Sequence, residues 1–242
     1  MAWKLLRGSR RKSELDPGRR IYAVGDVHGR ADLLAEVFSR IDFDMKSQPT
    51  SQSDEIFLGD YIDRGPDSRK VIELLIARKR RYGTIFLKGN HEELACRILA
   101  DPTLVSEWQD LGGTNTLLSY GVKGIRFDDS LEIAKAFRQA MPATHFEFLH
   151  HLALSFTCGD FFFVHAGVRP GIPLSQQSEQ DLLWIRDDFL LHDGQFGKIV
   201  VHGHTPVHEP DIRTNRINID TGAYATGRLT CLVLERDKMR FL

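Results

Sequence analysis

Five short apolar runs in this chain each break off into glycine, aspartate, asparagine or histidine: IYAVGDVHG (21–29), IFLGDYIDRG (56–65), IFLKGNHE (85–92), FFFVHAG (161–167) and IVVHGHTP (199–206). Apolar runs of this length read as buried strands. The spacing of Leu33, Leu34, Val37, Phe38 and Ile41 after the first run reads as a helix. Strands alternating with helices predict a layered α/β fold, and in such folds ligands gather at the carboxyl ends of the strands. Asp26, His28, Asp60, Asn90, His165 and one of His202 or His204 should therefore converge at one sheet edge.

Carboxylate with imidazole is the donor set of a borderline divalent metal such as manganese, zinc or iron. Six such positions exceed what one ion takes from a protein, whereas two ions sharing a bridging carboxylate use them all. A pair of ions roughly 3.5–4 Å apart suits in-line displacement at phosphorus, because it acidifies a shared water and clamps the substrate oxygens. Any one Asp-x-His after a strand is an ordinary turn; five strand ends carrying the same chemistry are not.

Between these pieces the chain reads simply. Strands are expected at 21–24, 55–58 and 84–87, and helices at 30–41, 67–81 (begun by Pro66) and 92–99 (stopped by Asp101-Pro102). The polar stretch 46–53 reads as a loop, and 103–151 as mostly helical with a break at Gly112-Gly113. Further strands are expected at 154–157, 161–164, 199–201, 217–219, 229–234 and 239–241, with a hairpin turn at Cys158-Gly159-Asp160. At 42% apolar and 27% charged residues, disorder as the main state is excluded. No apolar run is long enough to span a membrane. Three scattered cysteines without a CxxC pair argue against a disulfide framework or thiolate zinc site, and for a cytoplasmic location. Residues 1–19 are expected to form a flexible basic arm before a single domain at 20–242. Residues 1–20 carry net +5 and the remainder –6. The overall charge leaves no nucleic-acid footprint.

GDVHG, GDYIDRG, GNHE, VHAG and GHTP, in this order, resemble the signature set of the phosphoprotein phosphatase family, metal-dependent serine/threonine phosphatases within the calcineurin-like metallophosphoesterases. The length, IDTGA (219–223) and GRLT (227–230) resemble its compact bacterial and phage branch. The resemblance implies a four-layer α/β sandwich with two central mixed β-sheets flanked by helices. It implies a first metal held by Asp26, His28 and Asp60, and a second held by Asp60, Asn90, His165 and His204. Manganese leads as the metal, with iron, zinc, nickel or cobalt also compatible. His91 would be the general acid, oriented by Asp63, while Arg64 and Arg186 (in LLWIRDD) would grip phosphoryl oxygens. Lys88 stands where the family has arginine, keeping the charge but losing the bidentate fork. His202 would donate to phosphate or to a ligand carboxylate. WQDLGGTNTLLSYG (108–121) resembles a helical stretch of bacterial members and reads as a structural cover over one side of the site.

The resemblance implies hydrolysis of phosphoserine or phosphothreonine, with phosphotyrosine left open, on a phosphorylated protein or peptide by direct attack of a water between the metals. The alternative is a bis(5'-nucleosyl)-tetraphosphatase. Such relatives lose the aspartate before Arg-Gly in the second motif, so the presence of Asp63 favours the monoesterase. A catalytically dead binding module would lack ligands that this chain retains. No stable membrane insertion is expected, and the oligomeric state is open.

Overall fold

The computed structural model describes residues 3–4, 14–81, 83–123, 126 and 128–242. The amino-terminal half alternates strand and helix: β1 (Trp3–Lys4), β2 (Arg19–Val24), α1 (Ala31–Ser47), β3 (Gln52–Phe57), α2 (Ser68–Arg81), β4 (Thr84–Phe86) and α3 (Asn90–Arg97). A helical stretch follows, with α4 (Val105–Asp110), α5 (Gly113–Ser119), α6 (Ser130–Ala140) and α7 (Ala143–His150). The remainder comprises β5 (Ser155–Cys158), β6 (Phe161–Val164), α8 (Glu179–Trp184), α9 (Asp187–Leu190), β7 (Ile199–His202), β8 (Asp211–Ile212), β9 (Arg216–Asn218), α10 (Ala223–Thr226), β10 (Cys231–Glu235) and β11 (Lys238–Phe241).

These strands form two mixed sheets, ordered β1-β11-β10-β2-β3-β4 and β5-β6-β7-β9-β8. In the first, β2, β3 and β4 run parallel; in the second, β6, β7 and β9 do. The period of two along each strand builds the layers. Ile21 and Ala23 of β2 pack with Phe161 and Phe163 of β6 and with Val201 of β7 in a core between the sheets. The alternate residues Tyr22 and Val24 face a second core with α1 and α2. On the other side, Phe162, Val164 and Val200 pack against Leu182 and Phe189 of α8 and α9. Helices, sheet, sheet, helices make the four layers that the resemblance implied.

Helix α1 runs to Ser47, six residues beyond the apolar periodicity, and the loop expected at 46–53 shrinks to the residues before β3. The inward position in the added turns is Asp44. It is buried by ion pairs with Arg20 (3.3 Å) and Arg240 (2.6 Å) and by a 2.7 Å hydrogen bond from the Tyr22 hydroxyl. A pattern of apolar residues alone does not register a buried, fully paired carboxylate.

Residues 1–2 and 5–13, most of the segment expected as a basic arm, lie outside the described residues. The backbone of β1 pairs with β11, and Leu15 is 1% exposed within the inter-sheet core. Leu15→Ala should therefore cost about 2–5 kcal/mol. That is read as a lower urea midpoint at unchanged slope; an unmoved midpoint would mean that Leu15 contributes no burial. Among the described residues, no helix is long and apolar enough to cross a membrane.

Candidate metal centre

The carboxyl ends of the parallel strands bring the polar turns together, and the backbone there is unusual. Six non-glycine residues have positive φ among the described residues, and five of them, His28, Asp60, Asp63, Arg64 and His204, belong to these turns. Left-handed backbone costs such residues of order ~1–3 kcal/mol each and persists where the surroundings over-determine it. Close packing enforces it: a methyl group at Gly203 would collide with Asp26 Oδ1, and one at Gly89 with Asp60 Oδ1.

Asp60 lies at the centre, 2% exposed. Its Oδ2 is 3.5 Å from His28 Nε2 and 3.7 Å from His91 Nε2, while Oδ1 is 3.4 Å from His165 Nε2. Two sets of donor atoms, His28–Asp60–His91 and Asp60–His165–His204, each fall within 4.8 Å of one another, and Asp60 belongs to both. The tautomers follow from the carbonyls behind the rings. His28 Nδ1 donates to Ile62 O at 2.9 Å and His165 Nδ1 to Leu58 O at 3.0 Å, leaving both Nε2 lone pairs facing inward. Burial holds both imidazoles below their ordinary pKa, His28 at about 3. Burial opposes ionisation of Asp60, yet the surrounding imidazoles, His165 first, hold its pKa below the usual carboxylate range.

The donor set fits divalent ions. Asn90 Oδ1 lies 2.9 Å from both His165 Nε2 and His204 Nδ1, and those nitrogens are 3.2 Å apart. One proton on His204 Nδ1 satisfies only part of this convergence, whereas a cation satisfies all of it. Asp26 belongs to neither set but is hydrogen-bonded to the second. Its Oδ2 accepts the His204 N–H at 2.9 Å, and its Oδ1 is buried without a partner. Burial raises the Asp26 carboxyl, and the charges of Asp220 and Asp60 raise it further. Three carboxylates without a full complement of positive charge are costly in a buried site unless cations compensate them.

His91 is 1% exposed, with Nδ1 2.7 Å from Asp63 Oδ2. Burial lowers its pKa, but Asp60 and Asp63 outweigh that and raise it to about 9. Asp63 is itself caged: Trp108 Nε1 donates to Oδ2 at 2.9 Å and the Thr116 hydroxyl to Oδ1 at 2.6 Å. The expected helical cover is thus a set of donors to this carboxylate.

Arg64 Nη1 donates to the Tyr224 hydroxyl at 2.9 Å, and its Nη2 is 3.5 Å from His91 Nε2. Arg186, after α8, lowers the pKa of His165 and His204 behind larger effects of burial, so its charge is felt at the second set. Neither arginine has a carboxylate partner among the described residues. Lys88 is not free in the same way: its Nζ pairs with Glu179 at 3.1 Å. His202 is not brought to the cluster. It is fully buried, edge-on to Phe189 at 4.9 Å between ring centroids, because the chain turns at Gly203 and the left-handed His204.

Sequence reasoning missed three residues. Glu92, the last residue of GNHE, is fully buried and accepts backbone N–H groups from Asp60 (2.8 Å), Tyr61 (2.7 Å), Ile62 (3.2 Å) and Gly89 (3.0 Å). Its position three residues after a helix N-cap was the available signal. Asp220 is the aspartate of IDTGA and Tyr224 follows that stretch directly, but no spacing marks either.

The sequence model of the calcineurin-like phosphoesterase family matches residues 19–231. The chain belongs to that family. Among curated relatives, the asymmetrical bis(5'-nucleosyl)-tetraphosphatase PrpE of Halalkalibacterium halodurans is 26% identical over 228 residues, covering 86% of this chain and 87% of the relative. That of Bacillus velezensis is 25% identical over 228 residues, covering 86% of each. Of solved structures, one provisionally described as a diadenosine tetraphosphatase superposes with a TM-score of 0.64 at 20% identity, covering 95% of this chain and 97% of the other. A cold-active protein tyrosine phosphatase variant gives 0.58 at 15% identity, covering 94% and 80%. At these identities the two structures speak to the fold alone.

The relatives overturn two expectations. These two curated relatives are named for nucleosyl tetraphosphates, so neither the serine/threonine protein phosphatase activity nor a phosphorylated protein partner stands. The error rested on Asp63. In the folded chain this carboxylate accepts from Trp108 and Thr116 as well as facing His91, so it also holds the 108–121 segment to the site, a role separate from the leaving group.

Proposed function

We propose that this protein hydrolyses a phosphoanhydride bond of dinucleoside tetraphosphates. The observation that carries the reading is the alignment of the PrpE tetraphosphatases along 86% of the chain. In this reading Asp26, His28 and Asp60 hold one divalent ion, and Asp60, Asn90, His165 and His204 the second. Manganese is the first candidate, since carboxylate and imidazole together suit it as well as iron or zinc. Bound there, the ions supply Lewis-acid charge neutralisation and a water acidic enough to react near neutral pH.

The chain's own residues do the remaining work. Arg64 beside the first set and Arg186 beside the second offer two cations to a polyphosphate that carries charge on both sides of the scissile bond. Asp63 keeps His91 oriented with a proton at Nε2, for use where the leaving oxygen is basic enough to need one. The three cysteines are unpaired, which fits a cytoplasmic setting.

His91→Asn should lower turnover of an alkyl phosphate by roughly 10²–10⁴ at unchanged metal content. The loss on diadenosine tetraphosphate should be much smaller, because a terminal phosphate leaves without needing a proton. Equal losses on both would count against the proton-donor role. The reading itself is tested by comparing kcat/KM for diadenosine tetraphosphate with that for phosphoserine, phosphothreonine and phosphotyrosine peptides in manganese. The tetraphosphate should be preferred; a faster phosphopeptide would defeat the proposal.

A further inference from the structure

Helix α8 ends at Trp184, whose half-buried ring stands edge-on to His204 with centroids 6.4 Å apart and planes at 78°. Beyond it the chain opens a polar recess of 280 Å³, lined among others by Gln180, Trp184, Arg186 and Asp187. The volume falls just below the ~300–1,000 Å³ usual for drug-sized ligands, which suits a fragment such as one base with its sugar. Two cations border the recess, and they differ. Arg169 is occupied by Asp181 at 2.6 Å and Asp188 at 2.9 Å, whereas Arg186 has no carboxylate partner among the described residues. An aromatic face, an uncommitted guanidinium and the metal centre thus lie side by side.

We propose that this recess is a nucleoside subsite, in which a base stacks on Trp184 and Arg186 binds the phosphate attached to that nucleoside. The inference rests on the tetraphosphatase reading and deepens it. A base stacked on Trp184, whose ring lies 6.4 Å from that of His204, sits beside the second donor set, so in this proposal the phosphate attached to that nucleoside reaches the set first and the α-phosphorus is the atom presented for attack. The oxygen of water bonds to that phosphorus and the α–β bridging P–O bond breaks. Its electron pair leaves with the nucleoside triphosphate, and the proton of water is released. The products are a nucleoside monophosphate carrying the new oxygen and a nucleoside triphosphate. The rest of the phosphate chain runs toward Arg64, which Tyr224 holds at the other set. Gln180 and Asp187 offer an amide and an acceptor to the edge of the base.

Base stacking on an aromatic side chain contributes roughly tenfold to a hundredfold in affinity. Calorimetric titration of the manganese-loaded, full-length chain should therefore show AMP binding tighter than ribose 5-phosphate by that factor. The preference should vanish in Trp184→Ala and survive in Trp184→Phe. Equal binding of the two probes, no measurable binding of either, or a preference that survives Trp184→Ala would overturn the subsite. In the manganese-loaded enzyme, the ratio of kcat/KM for diadenosine tetraphosphate to that for p-nitrophenyl phosphate should fall by the same factor in Trp184→Ala and recover in Trp184→Phe; a parallel fall on both substrates would refute it. Turnover in ¹⁸O-water should label AMP, and label in ATP or formation of two ADP would refute the placement of the α-phosphorus. A wild-type protein that prefers AMP through Trp184 but leaves diadenosine tetraphosphate uncut would retain the subsite and remove the tetraphosphatase reading.

Discussion

Asp60→Asn is expected to lower kcat/KM for diadenosine tetraphosphate by on the order of 10³–10⁴, about 4–6 kcal/mol of barrier. The side chain keeps its size, and the protein should still fold: Glu92 accepts the N–H groups of Asp60, Tyr61 and Ile62, and the one backbone N–H that Asp60 accepts, from His91 at 3.2 Å, can be kept by the amide oxygen. What changes is the charge and one oxygen. Asp60 is the single carboxylate shared by both donor sets, its oxygens facing His28 on one side and His165 on the other. An amide turns an N–H₂ group toward one of the two ions and removes the negative charge that both share. Metal analysis should show less than two equivalents per chain. Near-normal turnover in a variant carrying two equivalents would remove Asp60 from the bridging position.

His204→Ala and His202→Ala should separate sharply, although the two residues are neighbours on the same strand face in sequence. His204→Ala deletes one of three groups that converge within about 3 Å at Asn90 Oδ1. It should empty the second metal position and cost roughly 10²–10³ in kcat/KM, about 3–4 kcal/mol. His202→Ala removes a ring packed on Phe189 in the outer core. It should lower the melting temperature by the modest amount usual for a core substitution, while both ions and most turnover remain. The reverse pattern, with metal lost in His202→Ala and kept in His204→Ala, would exchange their roles.

That contrast marks where sequence reading stops. Alternation places positions 202 and 204 on the same face, and only the left-handed backbone at His204 (φ 67°) separates them in space. The same limit applies at α1, where a paired Asp44 continues a helix that apolar spacing ends at Ile41. It applies again at Asp63: as a letter in a motif it reads as a mark of substrate class, and in the folded chain it is the acceptor that ties Trp108 and Thr116 to His91.

The sequence by itself determined the α/β layering, because period-two and helical apolar patterns are local properties of the chain. It also determined that carboxylates, an asparagine and histidines meet at one edge, because parallel strands all end there. Only the tertiary structure decided how those groups face one another. The cradle made by Glu92, the arginine held by Tyr224 and the salt-bridged Lys88 each join segments far apart in sequence, and the placing of Trp184 beside His204 depends on how α8 packs on the second sheet. Distance and orientation between such segments depend on sheet packing and turn geometry, which no local spacing encodes.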